Sequence, residues 1–455
     1  MIEKAERQRE VAREIFLRTL QTTTVAAAID RNIRCDGNTL HVAGHVYDLA
    51  LYSEICIVSI GKAGATMFDA VDALLSHALP GDLLSRSAVV SAPMPPQRLD
   101  DRVLYFRGGH PEPNVASIAA ARTALDAVAE AAEDALVLFL ISGGASSMCE
   151  LPLSDTVSLD DLILLNRALV GSGASIAEVN TVRKHLSRVK GGRLAAHAGS
   201  RDKITLLVSD VPDSALDALG SGPSLPDTST IADCLNILSR YSLWDRLPLS
   251  IQCSIKNGLE ESPSQDDPAF HNALVSVLLD NATFLDHAKR NAEAMGYTVE
   301  IDSSCDDWDY REAATYLLGK LHTLQQPGRK VCLLAGGELS VRLPENPGIG
   351  GRNMQFCLQC AAGGLAPGVT VLSAGTDGVD GNSHAAGAVV DATTRPRGEQ
   401  IGLSLDAALT AFDAYNYLAP LGYVIMIGPT GNNLRDIRIL LWENAAQESP
   451  IKSTL

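Results

Sequence analysis

Short, uninterrupted apolar runs alternate with amphipathic stretches along most of the chain. Ile55–Ile60, Leu136–Ile141 and Ile204–Val208 are too short for core helices and too apolar for half-exposed strands. They predict strands buried on both faces, as in a parallel sheet. Ser87–Val90 and Val103–Phe106 predict two more strands, and a turn-rich hairpin is expected at Cys35–Asp48. Ser117–Glu133, Ser158–Gly171, Ile176–Lys190 and Thr230–Tyr241 place apolar residues at helical spacing. A polar stretch, Glu260–Phe270, is the best linker candidate. Beyond it, strands are expected at Leu274–Leu279, Thr298–Ile301, Val331–Leu334, Val371–Leu372, Val389–Val390 and Ile437–Leu441. The helices among them are Ala282–Met295, Arg311–Leu324 and Gln355–Ala362. This rhythm predicts an α/β fold of two open α/β domains, residues 1–258 and 271–455, with a site in the cleft between them. The last segment is expected to be free to pack back on the N-terminal domain.

Composition narrows the partners. The chain has 455 residues, 46% hydrophobic and 20% charged, which suits a soluble enzyme with a large core. A formal net charge of −17 argues against nucleic acid as the main partner. No apolar run is long enough for a membrane span. The first twenty residues read as an amphipathic helix with Val11, Ile15, Phe16 and Leu20 on one face, not as a signal peptide. Cytoplasmic location is the expectation, and a homodimer is compatible with it. The nine cysteines are odd in number and scattered, as reduced core cysteines are. Cys357 and Cys360 make a lone CxxC, which a helix produces by i,i+3 spacing without zinc.

The candidate chemistry is positional. Predicted strands end in Gly61-Lys62, Ser142-Gly143-Gly144, Ser209-Asp210, Gly336-Gly337-Glu338 and Gly375-Thr376-Asp377. Small and polar clusters at strand ends are where open α/β sheets bind ligands. Lys62 stands between a strand and a helix N-terminus, a natural phosphate position. It is not a Walker A lysine, because Ile57 replaces the first glycine and Ala63 the Ser/Thr. No GxGxxG follows a strand, which weighs against a nicotinamide enzyme. The segment Asn180–Arg193 concentrates Arg183, Lys184, His185, Arg188, Lys190 and Arg193, either as a solvated helix face or as an anion site. Arg352, just before a helix, is placed to stabilise charge on a transferring phosphoryl group. His110, between Gly109 and Pro111, reads equally as a positioned base or as loop packing. In Val371–Asp391, Asp377 and Asp380 lie among glycines, the oxygen-only environment that Mg²⁺ takes with a phosphate.

Together these motifs resemble the glycerate 2-kinase family of the two-domain type with a C-terminal MOFRL domain. The resemblance is carried by GKAG at 61–64, GHPEP at 109–113, SGGASS at 142–147, NTVRKHLSRVKGGRLA at 180–195 and SDVP at 209–212. It continues in SGPSLPDTST at 221–230, GGE at 336–338, GGRN at 350–353, and GTDGVDG with AAGAVVD at 375–391. It implies a Rossmann-like N-terminal domain, a MOFRL-type α/β domain, and ATP- and Mg²⁺-dependent phosphorylation of D-glycerate at the 2-hydroxyl. The family's catalytic lysine and arginine fall on Lys62 and Arg352. The chain departs from the family pattern where Val115, Ser214, Gln355 and His384 stand.

The expected roles follow from both readings. Lys62 and Arg352 neutralise the phosphoryl group, and Asp377, with Asp380 or Glu338, holds the metal. His110, Ser142, Gly143, Gly144, Ser146, Arg183, Lys184 and Asn353 bind a small sugar acid. The base is Asp210 or His110. Two alternatives remain: an NAD(P)-dependent oxidoreductase of the hydroxypyruvate reductase kind, and a homologue that binds a related metabolite without transferring phosphate.

Overall fold

Strand β1 (Ile33–Asp36), β2 (Thr39–Val42) and β3 (His45–Asp48) form an antiparallel meander, one strand more than the expected hairpin. Its turns use Gly37 and Ala43-Gly44 at positive φ. The computed structural model describes residues 2–78 and 85–444, and the meander begins the first of two compact units, Val25–Asp280.

The apolar runs of this unit become β4 (Glu54–Ile60), β5 (Ser85–Ser91), β6 (Val103–Phe106), β7 (Leu136–Ser142), β8 (Asp202–Val208) and β9 (Ala273–Leu279). They form one all-parallel sheet in the order β6-β5-β4-β7-β8-β9. Every residue of β7 is buried, as its unbroken hydrophobicity requires. Val137 and Phe139 pack with Ala121, Ala124 and Val128 of the helix Val115–Glu130. Leu138, Ile204 and Leu206 face the other side, against Val71 and Leu75 of the helix Gly64–Ala78 and Ile33 and Leu40 of the meander. A separate helical cluster gathers Leu159–Val170, Ile176–His185, Ile231–Arg240 and Leu249–Lys256.

Two expected boundaries move. The strand at 273–279 pairs with β8 rather than opening the second domain, so the first unit runs to Asp280. The N-terminal helix, Ile2–Thr22, belongs to the other unit, with residues from Asn281 onward. Its apolar stripe packs there: Phe16 meets Phe284 edge-on at 6.4 Å, and Arg9 forms a buried ion pair with Asp391. An amphipathic stripe shows that a helix has a partner, but not which sheet supplies it.

The second unit holds β10 (Tyr297–Ile301), β11 (Lys330–Gly337), β12 (Val369–Gly375), β13 (Gly387–Asp391), β14 (Val424–Ile425) and β15 (Asp436–Glu443). Their order is β10-β11-β15-β12-β13-β14, and only β10 and β11 run parallel. The last strand therefore does not return to the first sheet; it lies between β11 and β12, and residues after 444 lie outside the described ones. Because β15 runs against both neighbours, its first residue, Asp436, sits opposite Gly337 and Gly375, the last residues of β11 and β12. No helix among the described residues is long and apolar enough to cross a membrane.

Candidate functional site

In an open parallel sheet the loops after two strands diverge where the strand order reverses, leaving a crevice for ligands. Here those are the loops after β4 and β7. Gly61 has φ +120°, and a Cβ there would lie 2.4 Å from Ser142 Oγ and 2.5 Å from the Ser142 carbonyl oxygen. The Lys62 N–H donates to the Gly143 carbonyl at 2.8 Å, and the Ala63 N–H to Ser142 Oγ at 3.0 Å. Glycine at 61 thus lets the two loops join. Gly144, at φ +84°, leaves room for neighbours on both sides: a Cβ would stand 3.0 Å from His110 Cδ2 and 3.2 Å from Lys62 Cγ. Asp210, from the end of β8, lies so close to Gly143 that a Cβ would fall 2.0 Å from its Oδ2.

Lys62, His110, Ser142, Gly143, Gly144 and Asp210 are therefore brought together at one sheet edge. Lys62 is half-buried and enters no ion pair among the described residues. Burial, and then the Lys62 charge, hold the His110 pKa below the usual histidine range. A neutral imidazole beside an ammonium can accept a proton. Ser146 Oγ lies 3.0 Å from Ser221 Oγ, which itself donates to Asn180 Oδ1.

The basic segment divides. Lys184 is 4% exposed, with its Nζ 2.7 Å from Asp217 and 3.0 Å from Asp227. Its ammonium is taken up by these carboxylates, so the expected contact to a substrate carboxylate is corrected to a buried ion pair. Arg183 donates from Nε to Asn166 Oδ1 at 2.8 Å, and burial lowers its pKa. The helical reading to Lys190 is also too long: the helix stops at His185, and a Gly191-Gly192 turn at positive φ precedes a short helix, Arg193–His197.

In the second unit Arg352 opens the helix Arg352–Ala362. Its Nε donates to Asp436 Oδ2 at 2.6 Å, its Nη2 to Asp436 Oδ1 at 3.3 Å, and Nη2 lies 2.8 Å from Glu338. Burial alone would lower the guanidinium pKa, but Asp436 and Glu338 more than offset it and raise it. Burial raises Glu338. A neighbouring pair, Arg435–Asp306, is bidentate at 2.7 Å on both arms, and Asp306 also receives the Glu338 N–H. A cavity of about 530 Å³ in this unit is lined by Arg352, Asn353 and Asp377 with Leu339, Val341 and Phe412.

Asp380 is not available to a metal. It is 2% exposed and caps the Arg352 helix, accepting from the backbone N–H groups of Asn353 at 3.1 Å and Met354 at 2.8 Å. Burial pushes its carboxyl up to about 7. Asn353 is held between Asp380 and Ser373. Asp377 lines the cavity and accepts the Val379 N–H at 3.1 Å. Among the described residues no group of three or more His, Cys, Asp or Glu is arranged to hold a metal ion. Of the three expected metal ligands, Asp380 is engaged as a helix cap and Glu338 with Arg352, while Asp377 lines the cavity.

The departures from the family pattern take different places. Val115 is 75% exposed, and Ser214 and His384 are exposed. Gln355 is buried and donates to the Leu409 carbonyl at 2.9 Å. The residue that sequence reasoning missed is Asp436. The strand-end signal points to carboxyl ends of strands, whereas antiparallel β15 brings its amino end to the edge.

A parallel sheet with a polar reversal edge, joined in one chain to a mixed sheet carrying a carboxylate-held arginine, defines a two-unit α/β enzyme class. Comparison with known proteins makes this specific. A domain of unknown function (DUF4147) matches residues 11–256, and the MOFRL family matches residues 331–436. A protein of Pyrococcus horikoshii named glycerate 2-kinase is 31% identical over 441 residues, covering 94% of this chain and 97% of its own. A protein of Thermotoga maritima named D-glycerate 2-kinase is 36% identical over 392 residues, covering 85% of this chain and 90% of its own. A crystal structure of a Thermotoga maritima glycerate kinase superposes with a TM-score of 0.82 at 33% identity, over 96% of this chain and all of that one. The chain belongs to the glycerate 2-kinase family.

Proposed function

We propose that this protein is an ATP-dependent kinase that phosphorylates D-glycerate at its 2-hydroxyl. The observation that carries the reading is Lys62: a lysine at the motif position, at the reversal edge of the sheet, without an ion pair among the described residues. Relatives named for glycerate phosphorylation align along both units, which supports the same assignment.

Phosphoryl transfer requires little covalent chemistry of a protein; it requires positioning and stabilisation of charge. In this reading Lys62 meets negative charge at the first unit's edge. Ser142–Gly144 orient the ligand, and His110 or Asp210 accepts the proton of the attacking hydroxyl. His110 suits the role through its lowered pKa, and Asp210 through its carboxylate beside Gly143. Arg352 supplies the second cation, fixed by Asp436 and Glu338. Mg²⁺ accompanies ATP on the phosphates, and no step is assigned to a protein-bound metal.

The test is formation of 2-phosphoglycerate from D-glycerate and ATP/Mg²⁺, followed by ADP release and product mass. Lys62→Ala and Arg352→Ala should each abolish product while circular dichroism stays unchanged. Full turnover in both variants would show the site to be misplaced. NADH oxidation with hydroxypyruvate, without need of ATP, would replace the kinase reading by an oxidoreductase.

A further inference from the structure

The first unit contains a second cavity, of about 780 Å³, which shares no lining residue with the edge at Lys62 and Gly144. Its basic wall comes from the end of the Asn180–Arg193 motif, which the proposed reaction does not use, and from the short helix Arg193–His197 that follows. Arg188, Arg193 and His197 all line it. Arg193 is 8% exposed, and its guanidinium is only partly satisfied: Nη2 donates to the Glu260 carbonyl at 2.6 Å, while Nε has no partner. That Nε is closed off from solvent, so what Arg193 offers the cavity is its charge rather than this N–H. Arg188 donates from Nε to the Leu153 carbonyl at 3.0 Å, and its Nη2 lies 3.3 Å from Asp155. Asp155 is 67% exposed and also lies 3.6 Å from Arg122, so its hold on Arg188 is weak and exchangeable. His197 Nδ1 lies 2.8 Å from the Arg193 carbonyl oxygen. Because a carbonyl oxygen only accepts, that contact places a ring hydrogen on Nδ1.

Two guanidinium groups beside an imidazole suit a phosphate, whose several acceptor oxygens and higher charge engage more of these groups at once than a carboxylate does. The carboxylates that line the cavity, Asp155 and Glu260, are exposed and solvated. Asp227 and Glu261 also act on Arg193, which burial desolvates, and the two guanidinium groups on this wall are where an anion is met.

We propose that this cavity is a second anion site, binding inorganic phosphate or the phosphate group of a small metabolite between Arg188, Arg193 and His197, apart from the reaction site. The test is titration of the full chain with inorganic phosphate in the absence of nucleotide, by calorimetry and ³¹P line broadening. Binding should persist in Lys62→Ala. It should weaken at least tenfold in Arg188→Ala, the loss expected for one charge-assisted hydrogen bond, with turnover in phosphate-free buffer unchanged. His197→Ala should also weaken it. Glycerol phosphate displacing inorganic phosphate would assign the site to a phosphorylated metabolite, and failure to displace would assign it to free phosphate. The proposal falls if wild type binds no phosphate, or if Arg188→Ala and His197→Ala both bind it as wild type does. It also falls if Lys62→Ala removes all binding, or if acetate competes as well as phosphate does.

Discussion

Asp436→Asn separates a positioning role from a merely structural one. The Asp436 side chain is 3% exposed and receives two hydrogen bonds from Arg352, at 2.6 and 3.3 Å. Asparagine keeps the shape and one acceptor, removes the charge, and turns an NH₂ group toward the guanidinium. A hydrogen bond to a charged group contributes roughly 1.5–3 kcal/mol. Arg352 is 35% exposed, so water recovers part of this. The expected stability loss is about 1–2 kcal/mol, or roughly 2–8 °C in Tm for a unit of this size. The effect on turnover should be larger. With Glu338 as its one remaining carboxylate, the guanidinium shifts toward it, and a misplacement of about 1 Å costs on the order of 10²-fold in rate. Initial rates of ADP release should show kcat reduced ten- to a hundredfold, KM for glycerate little changed, and partial rescue in Asp436→Glu. A variant with the lowered Tm but kcat within twofold of wild type would refute the positioning role.

Further predictions concern parts of the fold that the sequence marked as chemical. Lys184→Met strands the buried Asp227 carboxylate and should cost about 3–5 kcal/mol in chemical denaturation; unchanged stability with a raised glycerate KM would instead restore a substrate-binding role. Gly61→Ala drives a methyl into the Ser142 carbonyl at a backbone angle of φ +120°, and should give little soluble folded protein by size exclusion and circular dichroism. For Asp380, raised to about 7 in the fold, the carboxyl takes up a proton on folding between its unfolded value near 4 and 7. Its contribution is then complete below about pH 4 and is lost as pH rises through 7. Relative to Asp380→Asn, wild type should lose on the order of a few kcal/mol of stability across that interval, read from urea melts at stepped pH. Parallel pH profiles would contradict this.

Much of the architecture is legible in local pattern. The runs at Ile55–Ile60 and Leu136–Ile141 announce a parallel sheet because only strands covered on both faces can be apolar throughout. The Gly61 and Gly144 turns mark strand ends because an extra Cβ there meets backbone or side-chain atoms. The edge residues Lys62, Ser142–Gly144 and Asp210 could be named for that reason. What local pattern cannot contain is the partner of each element. The stripe of Phe16 does not specify Phe284, and the run at 273–279 does not say which sheet it extends. The same holds for side chains. Lys184 and Lys62 are alike in sequence, yet only the packed helices place Asp217 and Asp227 around the first. Asp380 and Asp377 share one glycine-rich loop, but Asp380 is turned onto a helix N-terminus that begins twenty-eight positions earlier, at Arg352. Sequence by itself determined the element types and the glycine-bounded strand edges, because these depend on neighbours along the chain. Tertiary structure alone decided which charges are neutralised and which remain open to a ligand. Ion pairing and desolvation are set by distances across the fold, and the antiparallel insertion of β15, with Asp436 at its head, leaves no local signature.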